Sequence, residues 1–390
     1  MSNRPVLIAG AGIAGLAVAL ALARAGFPSI ILERRETASE SGAGIQLGPN
    51  ATRLLADLGV AEFLKPLAVA PGVLKIGRGL SGKPLAELPL SSLEAKFGSP
   101  YWTIARADLH AVLRDRAFAR GMVDLRTGFT VESAVSTEIG AIAVEASGEQ
   151  VSGMALIGCD GLWSNVRKSI ATGAAPRFAG KSAWRATIPA TGDDAAVGLW
   201  LAPEAHVVHY PIAAGRFTNL VAIFEDRDRT PAWDRQGDPE FIKARFADWA
   251  DPVRALIHSA PAWQKWPLYE LDPLASWCNG PVTLAGDAAH PVLPFLAQGA
   301  GLAIEDAVVI ARALKANPSA PAKAFAIYQQ ARIARAAKLT KAARENGRTY
   351  HMDGFAAGAR DLVLRQTPAK LLISRYDWLY GFQADEISFA

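Results

Sequence analysis

The chain has 390 residues, enough for two or three domains, and 51% of them are hydrophobic, which excludes a disordered or collagen-like protein. The 41 basic and 37 acidic residues leave a net charge of only +4, so neither a nucleic-acid-binding surface nor a polybasic membrane anchor is indicated. The spacing of Cys159 and Cys278 fits neither a disulfide framework nor a zinc or redox motif. We therefore expect a cytoplasmic, globular protein without a metal site.

The chain begins with a strand-like run at residues 6–9, a glycine-rich turn and an apolar helix. Gly10 permits the tight turn, Gly12 lets the backbone approach a pyrophosphate, and Gly15 lets the helix pack on the strand. Glu33 ends the next apolar run, where its carboxylate can accept hydrogen bonds from a ribose. This order of elements predicts dinucleotide binding, with the phosphates at the helix N-terminus.

Residues 6–23 carry no charge, so a membrane span or a signal sequence is the alternative interpretation of this segment. The glycines, the early strand-like run and the lack of a basic region before it argue against both.

Further along the chain, strand-like and helix-like segments alternate, which predicts an α/β fold with both α and β elements. Short alternating runs at residues 74–90 and 182–224 predict an inserted antiparallel sheet that covers the cofactor and builds the substrate pocket. We predict a discontinuous cofactor domain (1–73, 100–177 and 267–320), a sheet domain (74–99 and 178–266) and a C-terminal helical region (321–390).

An alanine-rich helical pattern runs from Gly299 to about Arg348 and carries basic residues every three or four positions. We expect these residues to form a solvated helix face rather than an anion-binding stripe. They are Arg332, Arg335, Lys338, Lys341, Arg344 and Arg348.

Two more glycine–aspartate motifs follow strand-like runs, at residues 158–167 and 282–291. In this order and spacing, the three motifs resemble those of the single-component FAD-dependent aromatic hydroxylases, which include 4-hydroxybenzoate, salicylate and 3-hydroxybenzoate hydroxylases. The resemblance covers nearly the whole chain, is nearest the salicylate and 3-hydroxybenzoate branch, and extends to residues 42–50, 104–109, 293–300 and 378–382.

The resemblance implies a Rossmann-type FAD domain of the 4-hydroxybenzoate hydroxylase kind. It also implies tightly but non-covalently bound FAD, NADH or NADPH as a transient co-substrate, and O2. A flavin C4a-hydroperoxide would then transfer one oxygen atom to a small aromatic acid or phenol. A reductase or dehydrogenase of the same fold, and a flavin protein that binds an aromatic ligand without turnover, remain as alternatives.

The resemblance also assigns residues to the cofactor. Asp287 would bind the ribityl chain, Asp160 and Arg167 belong to a motif for FAD and nicotinamide, and Arg106 would contact the flavin. Alternatively, Asp287 caps the following turn, and Asp160 pairs with Arg167. The other residues assigned to the cofactor are Gly10, Gly12, Ala14, Gly15, Glu33, Arg34, Gln46, Gly286, Pro294, Gly299 and Ala300.

Residues 298–301 open an apolar helix that carries Glu305 and Asp306. Its free N–H groups would point at the flavin pyrimidine ring and stabilise negative charge there. Gln298 and Pro294 are also candidates for substrate contact.

A base near the ring would activate a phenol, and residues 206–210 supply the candidates. In a strand, His206 and Tyr210 share one face and His209 takes the other. This pattern resembles that of the salicylate and 3-hydroxybenzoate branch, which has a histidine and a tyrosine four residues apart with the histidine as base. We therefore predict His206 as the base and Tyr210 beside it. The alternative is a strand histidine bonded to a neighbouring carbonyl, and His290 is expected to be structural.

Two further residues bear on the substrate. Arg185 would bind a substrate carboxylate or the nicotinamide cofactor, or it is a plain surface arginine. Gln46 stands where the related 6-hydroxynicotinate hydroxylases carry histidine, which favours a 3-hydroxybenzoate type of substrate. The sequence leaves open the position hydroxylated, any decarboxylation, NADH against NADPH, and monomer against homodimer.

Overall fold

The computed structural model describes residues 4–36, 43–190, 195–229 and 235–389. Its strands are β1 (Val6–Ala9), β2 (Ser29–Leu32), β3 (Gly44–Leu47), β4 (Val73–Arg78), β5 (Pro84–Pro89), β6 (Trp102–Ala105), β7 (Val123–Arg126), β8 (Val131–Thr137), β9 (Gly140–Glu145), β10 (Gln150–Gly153), β11 (Ala155–Gly158), β12 (Arg177–Pro189), β13 (Ala196–Ala202), β14 (Ala205–Ile212), β15 (Phe217–Glu225), β16 (Arg235–Gly237), β17 (Trp263–Glu270), β18 (Cys278–Asn279) and β19 (Val282–Leu284).

The helices are α1 (Ile13–Ala25), α2 (Pro49–Asp57), α3 (Ala61–Leu64), α4 (Ser91–Phe97), α5 (Arg106–Phe118), α6 (Asn165–Lys168), α7 (Pro239–Arg245), α8 (Asp251–Ser259), α9 (Gly299–Ala316), α10 (Pro321–Tyr350), α11 (Gly354–Gln366), α12 (Ala369–Ser374) and α13 (Asp377–Tyr380). Short 3-10 helices occur at Gly286–Ala288, Pro294–Leu296 and Ala384–Glu386. None of the helices among the described residues combines the length and the apolar character needed to cross a bilayer.

The first domain is built on a six-stranded sheet in the order β18-β19-β11-β1-β2-β7. Neighbours from β19 to β7 are parallel, and β18 is antiparallel to β19. Every residue of β1 is buried, as expected for a central parallel strand with helices on both faces. Because β1, β11 and β19 are neighbours, the three glycine motifs that follow them meet at one edge, where α/β proteins bind ligands.

The second large sheet has the order β16-β17-β12-β15-β14-β13-β4-β5. The sheet is antiparallel as predicted apart from one pair of strands, β4 and β13, which run in parallel. The chain leaves this sheet after β5, passes through the first domain, re-enters the sheet at β12 and then forms β13, which runs in the same direction as β4. The α/β fold class predicted from the sequence is confirmed, whereas the exact domain limits stay a prediction.

The two faces of this second sheet pack against different elements. The outer face buries Trp184, Val207 and Phe224 against α7 and α8. The inner face carries Ile223 and Trp266, which pack against Phe295 in the 3-10 turn before α9. The inner face therefore looks toward the edge where the glycine motifs meet.

Candidate active site

The first glycine motif leaves no room for side chains. Gly10 has φ +100°, and a Cβ added to it would lie 2.7 Å from the carbonyl oxygen of Cys159. A Cβ on Gly15 would lie 1.9 Å from the carbonyl oxygen of Gly10. The turn therefore needs glycine both for its backbone conformation and for close packing.

Helix α1 begins without a side-chain cap. Its N-cap is Gly12, no acidic residue lies in its first turn, and its first N–H groups are left for an anion. Glu33 lies beside this turn, where one carboxylate oxygen accepts from Ala11 N at 2.7 Å and the other from Arg35 N at 3.0 Å. Glu33 thus fixes the glycine turn with the same carboxylate predicted to bind a ribose, and Arg34 beside it is exposed.

The third motif packs directly on the first. A Cβ on Gly286 would lie 3.0 Å from the Cβ of Ala14, in the first turn of α1. The next residue, Asp287, is exposed, and a Cβ on Gly299 would lie 4.0 Å from its Oδ1. The carboxylate of Asp287 therefore stands between the N-termini of α1 and α9.

The surroundings of Asp287 control its charge. Although the carboxylate is reachable by solvent, the protein crowds it enough to raise its pKa, while His290 and Arg106 act to lower it. Arg106 is the first residue of α5 and is held by its backbone N–H, which donates to Ala43 O at 2.7 Å. The predicted cofactor residues Asp287 and Arg106 thus lie close enough to interact.

Helix α9 also starts with free N–H groups. Its N-cap Gln298 makes no side-chain cap, and its first turn, which includes Gly299 and Ala300, has no acidic residue. Gln298 is buried, and its Oε1 accepts from Asn50 Nδ2 at 3.0 Å. Two uncapped helix ends and an exposed carboxylate between them fit the pyrophosphate and hydroxyl groups of FAD.

The second motif is organised by hydrogen bonds to the backbone rather than by the Asp160–Arg167 pairing considered above. Asp160 Oδ2 accepts from Asn165 N at 2.8 Å and Val166 N at 3.1 Å, the first two N–H groups of α6, and the N-cap Ser164 accepts from the third. Arg167 is buried and donates to Leu162 O at 2.5 Å and Ala288 O at 3.0 Å. Arg167 therefore clamps the second motif to the turn that carries Asp287.

The expectation that the basic stripe on α10 is solvated was wrong for its first members. Arg332 is fully buried and contacts Glu305 at 2.5 Å and Asp306 at 2.9 Å, and Arg335 contacts Glu305 at 2.7 Å. The prediction of a helix from the spacing of the basic residues was correct. The face of α10 that carries Arg332 and Arg335 is nevertheless packed against α9, because acidic residues of α9 form ion pairs with it. Arg348 is exposed, as expected.

The Asp306 carboxylate has a second role. It accepts from Gly286 N at 2.9 Å and lies 2.6 Å from His290 Nε2, which agrees with a structural role for His290. Favourable charges from His290 and Arg332 outweigh burial and lower the pKa of Asp306 to about 2. The ion network thus supports the backbone directly before Asp287.

On the inner face of the second sheet, Arg185 and Tyr210 come together. The Arg185 guanidinium lies 3.7 Å from the centre of the Trp266 ring, and its Nε is buried without a hydrogen-bond partner among the described residues. Burial lowers the pKa of Arg185 to about 10, and Tyr210 acts in the opposite direction. Burial raises the pKa of Tyr210 to about 12, which Arg185 and a hydrogen bond with Gln46 oppose.

The segment 43–50 is fastened against this face, while Gly42 of the matching motif lies outside the described residues. Gly44 N donates to Asn219 Oδ1 at 2.8 Å, and a Cβ on Gly44 would lie 2.5 Å from the Tyr210 ring. This contact places Gln46 within reach of Tyr210 and of Tyr101, whose hydroxyl donates to Gln46 Oε1 at 2.8 Å. Sequence reasoning missed both as site residues, because Tyr101 lies outside the motifs that it used and Asn219 lies in a segment used only to predict the sheet.

His206 lies on the same face of β14 as Tyr210 and is buried. Its ring centre lies 5.5 Å from that of Phe295, next to Pro294, and 5.3 Å from that of Tyr350. Its Nδ1 lies 2.8 Å from Nε2 of His351, which directly follows α10. The sequence offered no signal for His351, because its partner is 145 residues away.

Burial, His351 and Lys181 all lower the pKa of His206, so this histidine is neutral at pH 7. His209 lies on the outer face, where it stacks with Trp200 and lines a separate cavity of about 640 Å³. The alternation along β14 therefore sends the two histidines to opposite sides of the sheet.

The fold and site define a nucleotide-binding α/β protein with a cluster of polar side chains on the sheet face toward the nucleotide edge. Comparison with known proteins specifies this class. Residues 3–343 match the FAD binding domain family. A 3-hydroxybenzoate 6-hydroxylase of Polaromonas naphthalenivorans (strain CJ2) is 36% identical, with 98% of this chain and 96% of the relative covered.

Two further comparisons agree. A 3-amino-4-hydroxybenzoate 2-monooxygenase of Streptomyces platensis is 36% identical, with 98% of this chain and 97% of the relative covered. The solved structure of a salicylate hydroxylase substrate complex has a TM-score of 0.82 at 24% identity, covering 98% of this chain and 97% of that chain, which supports the fold.

The chain belongs to the FAD binding domain family. The resemblance to single-component FAD-dependent aromatic hydroxylases that the motifs indicated is confirmed, and with it the class of enzyme.

Proposed function

We propose that this enzyme hydroxylates a small aromatic acid or phenol of the 3-hydroxybenzoate or salicylate type, using NADH or NADPH and O2. The observation that carries this proposal is the set of polar side chains on one sheet face, the half-buried Arg185 and the buried His206 and Tyr210, facing the turn before α9. Arg185 can bind a carboxylate, and His206 and Tyr210 can form hydrogen bonds with a hydroxyl. Together they suit an aromatic ring that carries both a carboxylate and a hydroxyl group.

FAD would be held by the glycine turn, Glu33, Asp287 and the N-termini of α1 and α9. When bound, it supplies the chemistry of accepting a hydride and activating oxygen. The oxygen-transfer step, the nicotinamide preference, the cytoplasmic location and the choice of monomer or homodimer remain predictions.

Arg185 would bind the substrate carboxylate. Stacking on Trp266 fixes the plane of the guanidinium, and the partnerless buried Nε is a donor that a carboxylate would satisfy. With its pKa lowered only to about 10, Arg185 stays cationic at pH 7. A half-buried cation of this kind favours an aromatic ring that carries a negative charge over a neutral phenol.

His206 would take the phenol proton, because a phenolate ring is far richer in electrons than a phenol. In water the difference between a phenol pKa near 10 and a histidine pKa near 6.5 opposes this transfer by about 5 kcal/mol. Burial and its neighbours lower the pKa of His206 further, so the pocket must stabilise the phenolate. The Tyr210 hydroxyl and the Arg185 charge are placed to contribute.

Product analysis tests the proposal. Purified holoenzyme would be given NADH or NADPH together with salicylate, 3-hydroxybenzoate, 4-hydroxybenzoate, 6-hydroxynicotinate or phenol, and O2 uptake and product mass would be followed. We expect a benzoate to gain one oxygen, or to exchange its carboxylate for a hydroxyl. Nicotinamide oxidation without an oxygenated product from any ring would instead support a reductase.

The Arg185→Met variant refines this test. It should raise the KM for the carboxylated substrate at least tenfold, as expected for the loss of a charged hydrogen bond. Arg229→Met, at the surface near Phe178, is the matched control and should leave KM unchanged. An unchanged KM in Arg185→Met would show that Arg185 does not bind the substrate carboxylate.

A further inference from the structure

His206 and His351 form a buried pair that the proposed reaction does not yet explain. Their facing nitrogens, His206 Nδ1 and His351 Nε2, are 2.8 Å apart, and both rings pack against Phe295. At this distance between two neutral imidazoles, one nitrogen carries the shared hydrogen and the other accepts it. The tautomer of one ring therefore dictates that of the other.

The two arrangements give His206 opposite chemistry. If His206 Nδ1 donates to His351 Nε2, the Nε2 of His206 holds a lone pair and can take a proton. If His351 Nε2 donates instead, His206 Nε2 already carries a hydrogen and can act only as a donor. A base at His206 requires the first arrangement.

We propose that His351 is a positioning residue that accepts the Nδ1 hydrogen of His206 and so leaves His206 Nε2 free to take the substrate proton. The inference rests on the proposed function. In the step itself, the phenol O–H bond breaks and an Nε2–H bond forms on His206. The electron pair of the O–H bond stays on the phenolate oxygen, and the positive charge is shared along the hydrogen bond to His351.

The charges around the pair show why an acceptor matters. Lys181 acts on both histidines and Arg360 acts on His351, and these cations make protonation harder. Burial has the same effect, and the pKa of His351 falls to about 3. The groups that pack around the pair carry no negative charge: they are Tyr350, Phe295 and the β14 backbone. Of the groups in contact with His206, the one that stabilises an imidazolium there is therefore the lone pair of His351.

The proposed tautomer leaves one N–H group of His351 without a partner. It places a hydrogen on His351 Nδ1, which is buried without a hydrogen-bond partner among the described residues. A buried unpaired N–H is unfavourable, so the reverse tautomer is the alternative that an experiment must exclude.

Imidazole nitrogen NMR of the holoenzyme, labelled with ¹⁵N-histidine, distinguishes the two directly. The chain has six histidines, so spectra of His206→Gln and His351→Gln suffice to assign the pair. We expect a protonated Nδ1 and an unprotonated Nε2 on His206 at pH 7. A hydrogen on His206 Nε2 would overturn the inference and remove His206 as the base, whereas the proposed hydroxylation itself, which product analysis tests, would stand.

Kinetics gives the second readout. His351→Leu removes the acceptor and should lower kcat about tenfold or more, a part of the ~10²–10⁴-fold that a general base contributes, with little change in KM. His351→Gln, whose side-chain oxygen can accept from His206, should recover most of this loss. His209→Leu, on the outer face, is the matched control.

The outcomes separate the possible failures. Equal loss in His351→Leu and His351→Gln would reduce His351 to a packing residue. Absence of any hydroxylated product from the wild-type enzyme would instead refute the proposed function, whatever the tautomer.

Discussion

Tyr210 shows how a single residue is tuned by its place in the fold. Burial raises its pKa to about 12, so its hydroxyl stays protonated at pH 7 and can donate a hydrogen bond. A buried donor of this kind is well suited to stabilise charge that develops on a substrate oxygen.

Replacing Tyr210 with phenylalanine should therefore lower kcat/KM for the aromatic substrate about 10- to 100-fold, as expected for the loss of one hydrogen bond to a charged group. FAD content should not change, because Tyr210 lies on the substrate sheet. Steady-state kinetics and flavin absorbance check both statements. Tyr269→Phe, which loses a surface hydrogen bond to the Arg229 carbonyl, is the control, and equal losses in both variants would contradict the prediction.

The site residues that could be predicted from the sequence are those whose partners lie nearby in the chain. The glycine turn and Glu33 lie within one strand–helix–strand unit, so spacing alone was enough to indicate a dinucleotide site. Tyr101, Asn219 and His351 reach the site from distant segments, and their positions depend on how the two sheets pack. Local pattern carries no information about such contacts.

At the scale of elements, helix α1 depends on close approach to the strand that precedes it. Gly15→Ala would place a Cβ 1.9 Å from the Gly10 carbonyl oxygen, so either the turn opens or the helix shifts. We expect loss of FAD binding and a lower melting temperature, measured by flavin release on heating. Gly358→Ala is the matched control, because a Cβ there meets nothing within 4 Å.

The control should be neutral or slightly stabilising, by about 0.5–1 kcal/mol, since alanine is the better residue within a helix. A Gly15→Ala protein that keeps FAD as tightly as the wild type would show that the turn tolerates the shift and that the close packing is not essential.

Helix α10 shows where element-level prediction failed. Its period was correct, but the side of the helix that faces solvent depends on Glu305 and Asp306 in α9, which a single-helix pattern does not include. Opposite charges on two helices allowed a face rich in arginine to be buried.

At the scale of the whole molecule, the same ions connect the C-terminal helices to the cofactor edge. Arg332 lies between Glu305 and Asp306, and Asp306 holds the backbone of Gly286 directly before Asp287. Asn50 Nδ2, which donates to Glu305 at 2.7 Å and to Gln298, extends the network to α2 and the start of α9. Loss of one charge should thus affect stability and cofactor binding together.

Arg332→Leu should lower the free energy of unfolding at pH 7 by about 3–5 kcal/mol, because it removes the buried cation that two buried carboxylates share and leaves Glu305 with Arg335 and Asp306 with His290. The deficit should depend on pH. In the wild type the pKa of Asp306 is lowered to about 2 from 3.8, so the stability it contributes, roughly 2 kcal/mol, is present above pH 3.8 and is lost as the pH falls toward 2. Without Arg332 the carboxylates protonate more readily, so the variant loses less stability on acidification. The free energies of unfolding of the two proteins should therefore converge below about pH 4.

Urea unfolding of both holoenzymes at pH 7, 5 and 3, in the same excess of FAD, measures this difference, with the exposed Arg348→Leu as control. A deficit that stays constant across this range would mean that Arg332 stabilises the fold through packing rather than through charge.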